Sequence, residues 1–316
     1  MHVEVVVNCG AGSVEGDEAD AERERVLAAF AAHDVEPRVQ LVPGEDLEAA
    51  LEEAVGRGPE VVAVGGGDGS LGTAAAVVAA SDVTLGVLPM GTFNHFAKDL
   101  GIPVELEGAA GVVVAGRTTR IDLAEVNGRA FVNNSSIGLY PVMVDLRDDI
   151  RSTRGWGKVR SAPIAAVRVV RRFPTRRLLI SGDGERWHLR SPFVFVGNNA
   201  YEVGPRGVGA RTTLTEGELC CYVARAESRL AFAGLAVRAL LRGASSTPRL
   251  ESLSTDEITV TAGDHRLLVA IDGEVVTLRS PLRYRLRAGA LAVRVPVDEE
   301  PPTGPPEADE AESGAH

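Results

Sequence analysis

Apolar residues are spaced differently in the two halves of this chain. Over roughly the first 125 positions, short apolar runs alternate with stretches of helical period, in which one face recurs every three to four residues. Val3–Asn8, Arg38–Val42, Val61–Val64 and Leu85–Leu88 read as strands. The segments 18–33, Leu47–Val55 and 70–80 read as helices, and shorter helices are expected near 94–100 and 105–115. Unbroken apolar strands alternating with helices describe a parallel sheet covered on both faces, an α/β domain of Rossmann-like type. Beyond residue 118 the period shortens. Arg120–Val126 and Ala130–Asn133 flank Asn127-Gly128, a strong hairpin signal. Helical, arginine-rich sequence fills about 140–172. Strands are then expected at 176–181, 186–197, 218–224, 257–262, 266–271, 274–279 and 290–295, with one amphipathic helix near 228–242. The boundaries that follow are an α/β domain over 1–120, a β-rich domain over 121–297 and a tail over 298–316. That tail holds four prolines, seven acids and no Lys or Arg, too little apolar surface to offset the entropy of ordering.

Composition narrows the class. The chain has 316 residues, 45% hydrophobic and 24% charged, ordinary values for a globular protein of about two domains. Three cysteines, Cys9, Cys220 and Cys221, form neither a disulfide framework nor a zinc pattern, so a reducing, cytoplasmic setting is expected. The N-terminus lacks the basic segment and long apolar run of a signal peptide, and no stretch reaches the length of a membrane span. A net charge of −11 argues against a nucleic-acid partner. That charge is uneven, because residues 147–177 alone hold ten basic and two acidic residues.

The most informative stretch is Gly65-Gly66-Gly67-Asp68-Gly69-Ser70, where a strand passes through glycines into a helix. Backbone N–H groups and the helix N-terminus converge there on one point, which suits a phosphate. Gly67-x-Gly69-x-x-Gly72 also spells a dinucleotide fingerprint. That fingerprint belongs after the first strand with an acid ending the next one, whereas here it follows the third strand and the next ends Leu88-Pro89-Met90. A Walker lysine is absent as well. Asp68 among the glycines puts a carboxylate where Mg²⁺ would bridge phosphates.

Gly66-Gly67-Asp68-Gly69-Ser70 resembles the glycine motif of the diacylglycerol kinase catalytic-domain family, which includes bacterial lipid kinases and sphingosine kinases. Asn8-Cys9-Gly10-Ala11-Gly12 resembles that family's first phosphate loop, with Cys9 where proline is usual. Pro89-Met90-Gly91-Thr92-Phe93-Asn94-His95-Phe96-Ala97, Ile121-Asp122-Leu123, Phe131 to Gly138 and Ile271-Asp272-Gly273-Glu274 match further family segments in the family's order. NAD kinases and phosphofructokinases share the Gly-Gly-Asp-Gly element. Gly91-Thr92-x-Asn94 suits the lipid-kinase branch, and no Asn-Glu dipeptide of the NAD-kinase type occurs.

The resemblance implies a two-domain fold like that of NAD and diacylglycerol kinases, and an ATP- and Mg²⁺-dependent kinase acting on diacylglycerol or another lipid alcohol. It places the nucleotide phosphates on Gly65 to Ser70 and near Asn8 and Gly12, with Thr92 and Asn94 completing the site. Asp68 and Asp122 would position Mg²⁺, and Glu274 and Asp272 jointly would activate the lipid hydroxyl. Read from the residues alone, Asp272-Gly273 is equally a hairpin turn between apolar strands. His95 replaces the family's usual aspartate, which is either a subfamily variation or a weakening of metal binding. Glu216 stands where the family often carries an aspartate of a structural Mg²⁺ site; a solvated turn is the alternative. The basic segment 147–177 is a solvated helix face or, for a lipid kinase, a helix lying on an anionic bilayer. Peripheral association with the inner face of the plasma membrane would follow, and a homodimer is left open.

Overall fold

The computed structural model describes residues 1–10, 16–138, 176–204, 207–211, 213–224 and 250–297. Strands β1 (Val3–Asn8), β2 (Arg38–Val42), β3 (Val61–Gly66) and β4 (Thr84–Pro89) pair in parallel in the order β2-β1-β3-β4. The three inner strands are buried on both faces and β2, at the edge, alternates buried with exposed, as its position demands. Helices α1 (Asp17–Ala31), α2 (Leu47–Gly56), α3 (Asp68–Val78) and α5 (Leu106–Ala115) cover this sheet, α1 packing on α5 and α2 on α3. A short α4 (His95–Asp99) follows β4. The expected α/β pattern is thus present, with α3 beginning directly at Asp68.

The expected hairpin forms between β5 (Arg117–Val126) and β6 (Arg129–Phe131). Asn127 and Gly128 both take positive φ, 49° and 82°, the backbone that a two-residue turn of this twist requires. From there the chain builds antiparallel structure: β7 (Asn134–Gly138), β8 (Arg176–Gly182), β9 (Glu185–Ser191), β10 (Phe193–Asn198), β11 (Tyr201–Gly204), β12 (Gly207–Arg211), β13 (Leu219–Ala224), β14 (Leu250–Thr255), β15 (Glu257–Ala262), β16 (Arg266–Ile271), β17 (Glu274–Arg279) and β18 (Leu282–Val295). A six-stranded sheet runs β14-β13-β10-β7-β16-β17. The apolar stretch expected as one strand over 186–197 breaks at Pro192, whose missing N–H cannot serve a ladder; β9 and β10 lie in different sheets. The expected strand 290–295 is only the end of β18, which is fourteen residues long. The helices expected over 140–172 and 228–242, the tail 298–316 and nearly all of the basic segment 147–177 lie outside the described residues.

β18 joins the two halves. Its last residues pair in parallel with β4, its first with β15, and β5 runs antiparallel along its length, extending the parallel sheet into a ten-stranded one. The far part of that sheet faces the six-stranded sheet across a second core. Leu178, Ile180, Val260 and Leu282 there meet Ile137, Val196, Cys221 and Val269. Tyr284 is buried in this sandwich, edge-on to Phe131, with its hydroxyl 3.1 Å from Ser135 Oγ. That contact satisfies the one polar group so large a side chain brings inside.

A shift in the β5–β18 register falls between Arg287 and Leu291, where Gly289 takes φ 58°. The amide freed by this irregularity donates to Asp122 Oδ1 at 2.8 Å, and Gly217 N donates to Asp122 Oδ2 at 2.8 Å. Asp122 is 3% exposed, so both amides depend on it. Asp122→Ala should therefore cost roughly 1–3 kcal/mol for each orphaned amide. A lowered urea midpoint at unchanged m-value would show it; an unchanged midpoint would show that the irregularity does not need the carboxylate.

Candidate active site

The turn from β3 into α3 is the seat of the site. Gly67, a residue with no side chain to cap with, precedes α3, so among the described residues the helix start carries no side-chain N-cap. Asn8, at the end of β1, reaches across with Nδ2 to Ser70 Oγ at 2.8 Å, while its Oδ1 accepts Gly10 N at 3.0 Å. Gly10, just after β1, is thereby linked through Asn8 to the glycine turn; Gly12 lies outside the described residues. The loop after β4 closes the other side. A Cβ on Gly91 would lie 2.5 Å from the Cα of Gly67, so two backbones approach as only glycines allow. Asn94, left-handed at φ 51°, staples that loop by accepting Gly91 N (2.9 Å) and donating to the carbonyls of Gly91 (3.0 Å) and Pro89 (3.3 Å). Its side chain is spent on its own loop, while Thr92 is exposed at the tip.

Three carboxylates gather around the start of α3. Asp68 accepts Phe96 N (3.0 Å) and Asn133 Nδ2 (3.2 Å) on Oδ1 and His95 N (3.3 Å) on Oδ2. Glu274 comes from the six-stranded sheet and lies so close to Gly69 that a Cβ there would overlap its Oε1. Asp272 lies beside Gly72, where a Cβ would be 2.9 Å from its Oδ2. A three-amide cradle holds the half-buried Asp272: Val132 N on Oδ2 and Asn133 N and Asn134 N on Oδ1, at 2.8, 2.8 and 3.0 Å. Its φ of 46° and that of Gly273, 91°, make the tight turn between β16 and β17, so the hairpin turn and the approach to α3 are one feature. A cleft of about 350 Å³ opens onto the pair, lined among others by Gly69, Thr73, Arg129, Asp272 and Glu274.

Behind the carboxylates stand residues that no motif singles out for a role of their own. Asn133 binds Asp272 through its backbone and Asp68 through its side chain. Arg211 donates to Asn133 Oδ1 (2.9 Å) and to Asp99 Oδ2 (2.8 Å). Tyr201 donates its hydroxyl to the Asn133 carbonyl at 3.0 Å. Burial pushes the Tyr201 phenol up to about 12, keeping it a donor at neutral pH. Phe131 to Gly138 was legible as a motif, yet nothing local in the sequence marks Arg211 or Tyr201.

Residues 2–126 match the family model of the diacylglycerol kinase catalytic domain, and residues 146–295 that of the YegS C-terminal NAD kinase beta sandwich-like domain. The chain belongs to the diacylglycerol kinase catalytic-domain family of lipid kinases. A relative named "Probable lipid kinase YegS-like" from Klebsiella pneumoniae (strain 342) is 26% identical over 84% of this chain and 87% of its own. A diacylglycerol kinase of Mycobacterium tuberculosis (strain ATCC 25618 / H37Rv) is 33% identical over 46% of this chain and 50% of its own. A diacylglycerol kinase structure from Bacillus anthracis str. Sterne superposes with TM-score 0.64 at 18% identity, covering 93% of this chain and 96% of its own. A further structure from that organism reaches TM-score 0.70 at 22% identity, covering 93% and 97%. These likenesses show the two-domain fold of the family.

Within this lipid kinase, the other residues singled out from sequence take separate places. The Asp122 oxygens accept Gly217 N and Gly289 N, and its hydrogen bonds link it to the 213–217 turn instead of to Asp68. Glu216, on that turn, donates its own N to Asn199 Oδ1 at 3.0 Å and accepts Ala200 N at 3.4 Å. Among the described residues no group of three or more His, Cys, Asp or Glu side chains is arranged to hold a metal ion. The His95 ring is exposed and stacked on Phe93 at 5.7 Å, while only its backbone N–H serves Asp68. No helix among the described residues is long and apolar enough to cross a membrane.

Burial pushes the Asp272 carboxyl up to about 7, against the three amides and Arg211, which pull it down. The folded state therefore holds a proton on Asp272 that the unfolded chain releases near pH 4. Stability from this group is full below that pH and falls as pH rises to about 7, by on the order of 4 kcal/mol. Compared with Asp272→Asn, the wild type should lose stability between pH 5 and pH 8 in thermal melts. Parallel curves for the two proteins would contradict the shift.

Proposed function

We propose that this kinase transfers the γ-phosphoryl group of ATP to the hydroxyl of diacylglycerol or a similar lipid alcohol, giving a phosphatidate-type product and ADP. The observation that carries the reading is the seating of Glu274 and Asp272, from one sheet, over the first turns of α3, from the other. A helix N-terminus with no side-chain cap among the described residues suits phosphate, and the carboxylate pair beside it suits an attacking hydroxyl that must lose its proton. The nucleotide phosphates take the amides of Gly65 to Ser70, with Asn8 and Thr92 at the rim and Asn94 shaping the floor. The acceptor oxygen bonds to the γ-phosphorus, the bridging oxygen leaves with ADP, and the proton passes to the Asp272–Glu274 pair. An acceptor group titrating near 7 is matched to that task at neutral pH.

The donor set suits Mg²⁺ carried in with the phosphates. Asp68 retains acceptor capacity beside the glycine turn, and Mg²⁺ commonly rests on one or two carboxylates plus phosphate and water. Asp68 is the residue that would hold it, with Asp122 bracing the strand irregularity behind; bound there, the ion neutralises phosphate charge in the transition state.

Glu274→Gln and Asp272→Asn should each lower ADP release at least about a hundredfold, the scale of a lost general base, with ATP affinity nearly intact. Turnover at wild-type level in both variants would remove the assignment. A panel of diacylglycerol, sphingoid base, glycolipid and polyprenol in mixed micelles identifies the acceptor. ATP binding without turnover on any of them would instead favour a nucleotide-sensing relative.

A lipid substrate requires access to a bilayer, and we assign that contact to the basic segment 147–177, on the cytoplasmic side of an anionic membrane. Vesicle binding should weaken with salt and be lost when Arg168, Arg171 and Arg172 are neutralised together. Equal binding to neutral vesicles would refute the assignment.

A further inference from the structure

Four segments far apart in sequence close a ring of hydrogen bonds behind Asp68. The α3 segment supplies the Asp68 carboxylate, and the turn before β7 supplies Asn133, whose Nδ2 donates to it at 3.2 Å. β12 supplies Arg211, whose Nη2 donates to Asn133 Oδ1 at 2.9 Å. α4 supplies Asp99, whose Oδ2 takes both Nε (2.8 Å) and Nη2 (2.7 Å) of Arg211. The same helix begins with the N–H groups of His95 and Phe96, which return to Asp68 at 3.3 and 3.0 Å.

The Arg211 side chain has 0% exposure, and its Nη1 donates to the carbonyls of Val132 and Asn198. A buried guanidinium with its charge paired and its donors placed has a fixed direction. That direction decides the orientation of Asn133. A carboxamide can present either its oxygen or its NH₂, but Arg211 only donates and the Asp68 carboxylate only accepts. The oxygen must face Arg211 and the NH₂ must face Asp68. Rotated by 180°, Asn133 would set its oxygen against the carboxylate and its NH₂ against the guanidinium, two repulsive contacts in a buried site.

We infer that Arg211, held by Asp99, is a positioning residue for phosphoryl transfer, acting through the Asn133 amide to fix the Asp68 carboxylate at the phosphate turn. Lysine cannot replace it, because one ammonium on a flexible stem cannot meet Asp99, Asn133 and two carbonyls in a planar fork. The inference rests on the nucleotide and Mg²⁺ reading of that turn, so its test separates the two.

ATP affinity is measured by calorimetry with and without Mg²⁺, and ADP release with lipid, for wild type, Arg211→Lys, Asn133→Ala and the double variant, with thermal melting alongside. Loss of a partner that orients an ion-binding carboxylate commonly costs about 10–100-fold. Arg211→Lys should therefore weaken Mg²⁺-dependent ATP binding and turnover by about that factor, with Mg²⁺-free binding unchanged, a split that general loosening of the fold would not produce. The double variant should be no worse than the weaker single one, since both break the same relay. Multiplying effects, or an Arg211→Lys protein with wild-type Mg²⁺ response, would overturn the inference. If Arg211→Lys does not fold, Asp99→Ala combined with Asn133→Ala gives the same cycle. Absence of ADP release from the wild type would count against the kinase reading alone, because the affinity cycle still reports on the relay.

Discussion

A carboxylate drawn away from water needs donors, and the way this protein provides them for the half-buried Asp272 organises its candidate site. Three consecutive amides, Val132 to Asn134, converge on that side chain and fasten the β16–β17 turn to the strand leaving the β5–β6 hairpin. The fastening places Glu274 against Gly69 and leaves the Asn133 side chain pointing at Asp68. One cradle thus sets the spacing of three acids, one at the start of α3 and two at the β16–β17 turn. It also explains the glycines at 69 and 72, since any side chain there would displace the carboxylates.

The two halves of the molecule are correspondingly hard to treat as independent bodies. β18 is a strand of the parallel sheet at one end and of the sandwich at the other. Its irregularity at Gly289 is held by Asp122, and Asp122 also holds the turn at Gly217. The acidic motif Ile121-Asp122-Leu123 therefore belongs to the joint between the halves as much as to any ligand.

What could be read from the sequence was local, and what escaped was not. The strand–helix alternation, the Asn127-Gly128 hairpin and the glycine turn each carry their cause within a few residues, so they were visible. Pro192 was visible too, but an apolar pattern continuing on both sides masked the change of sheet it brings. In β18 the alternation from Leu282 to Arg287 is a strand signal that the expectation of 290–295 left out, and its lapse at Ala288-Gly289-Ala290 hid the continuity of one fourteen-residue strand. The relay through Asp99, Asn133 and Arg211 has no periodicity, since three residues spread over more than a hundred positions meet only once the sheets are stacked. Arg211 in particular sits in sequence that reads like any polar loop.

The position of β18 in chain order has a consequence for biosynthesis. The parallel sheet is encoded almost wholly before residue 90, yet the strand that covers the exposed side of β4 is made near the other end of the chain. During vectorial synthesis the first half emerges with an apolar strand edge open, the kind of surface that pairs wrongly with neighbours. Most of the sandwich must be translated before that edge can close, and Asp272 and Glu274 arrive shortly before the strand that closes it. Closure of the sheet and assembly of the candidate site are therefore late, nearly simultaneous events, and a truncated nascent chain would be prone to aggregate.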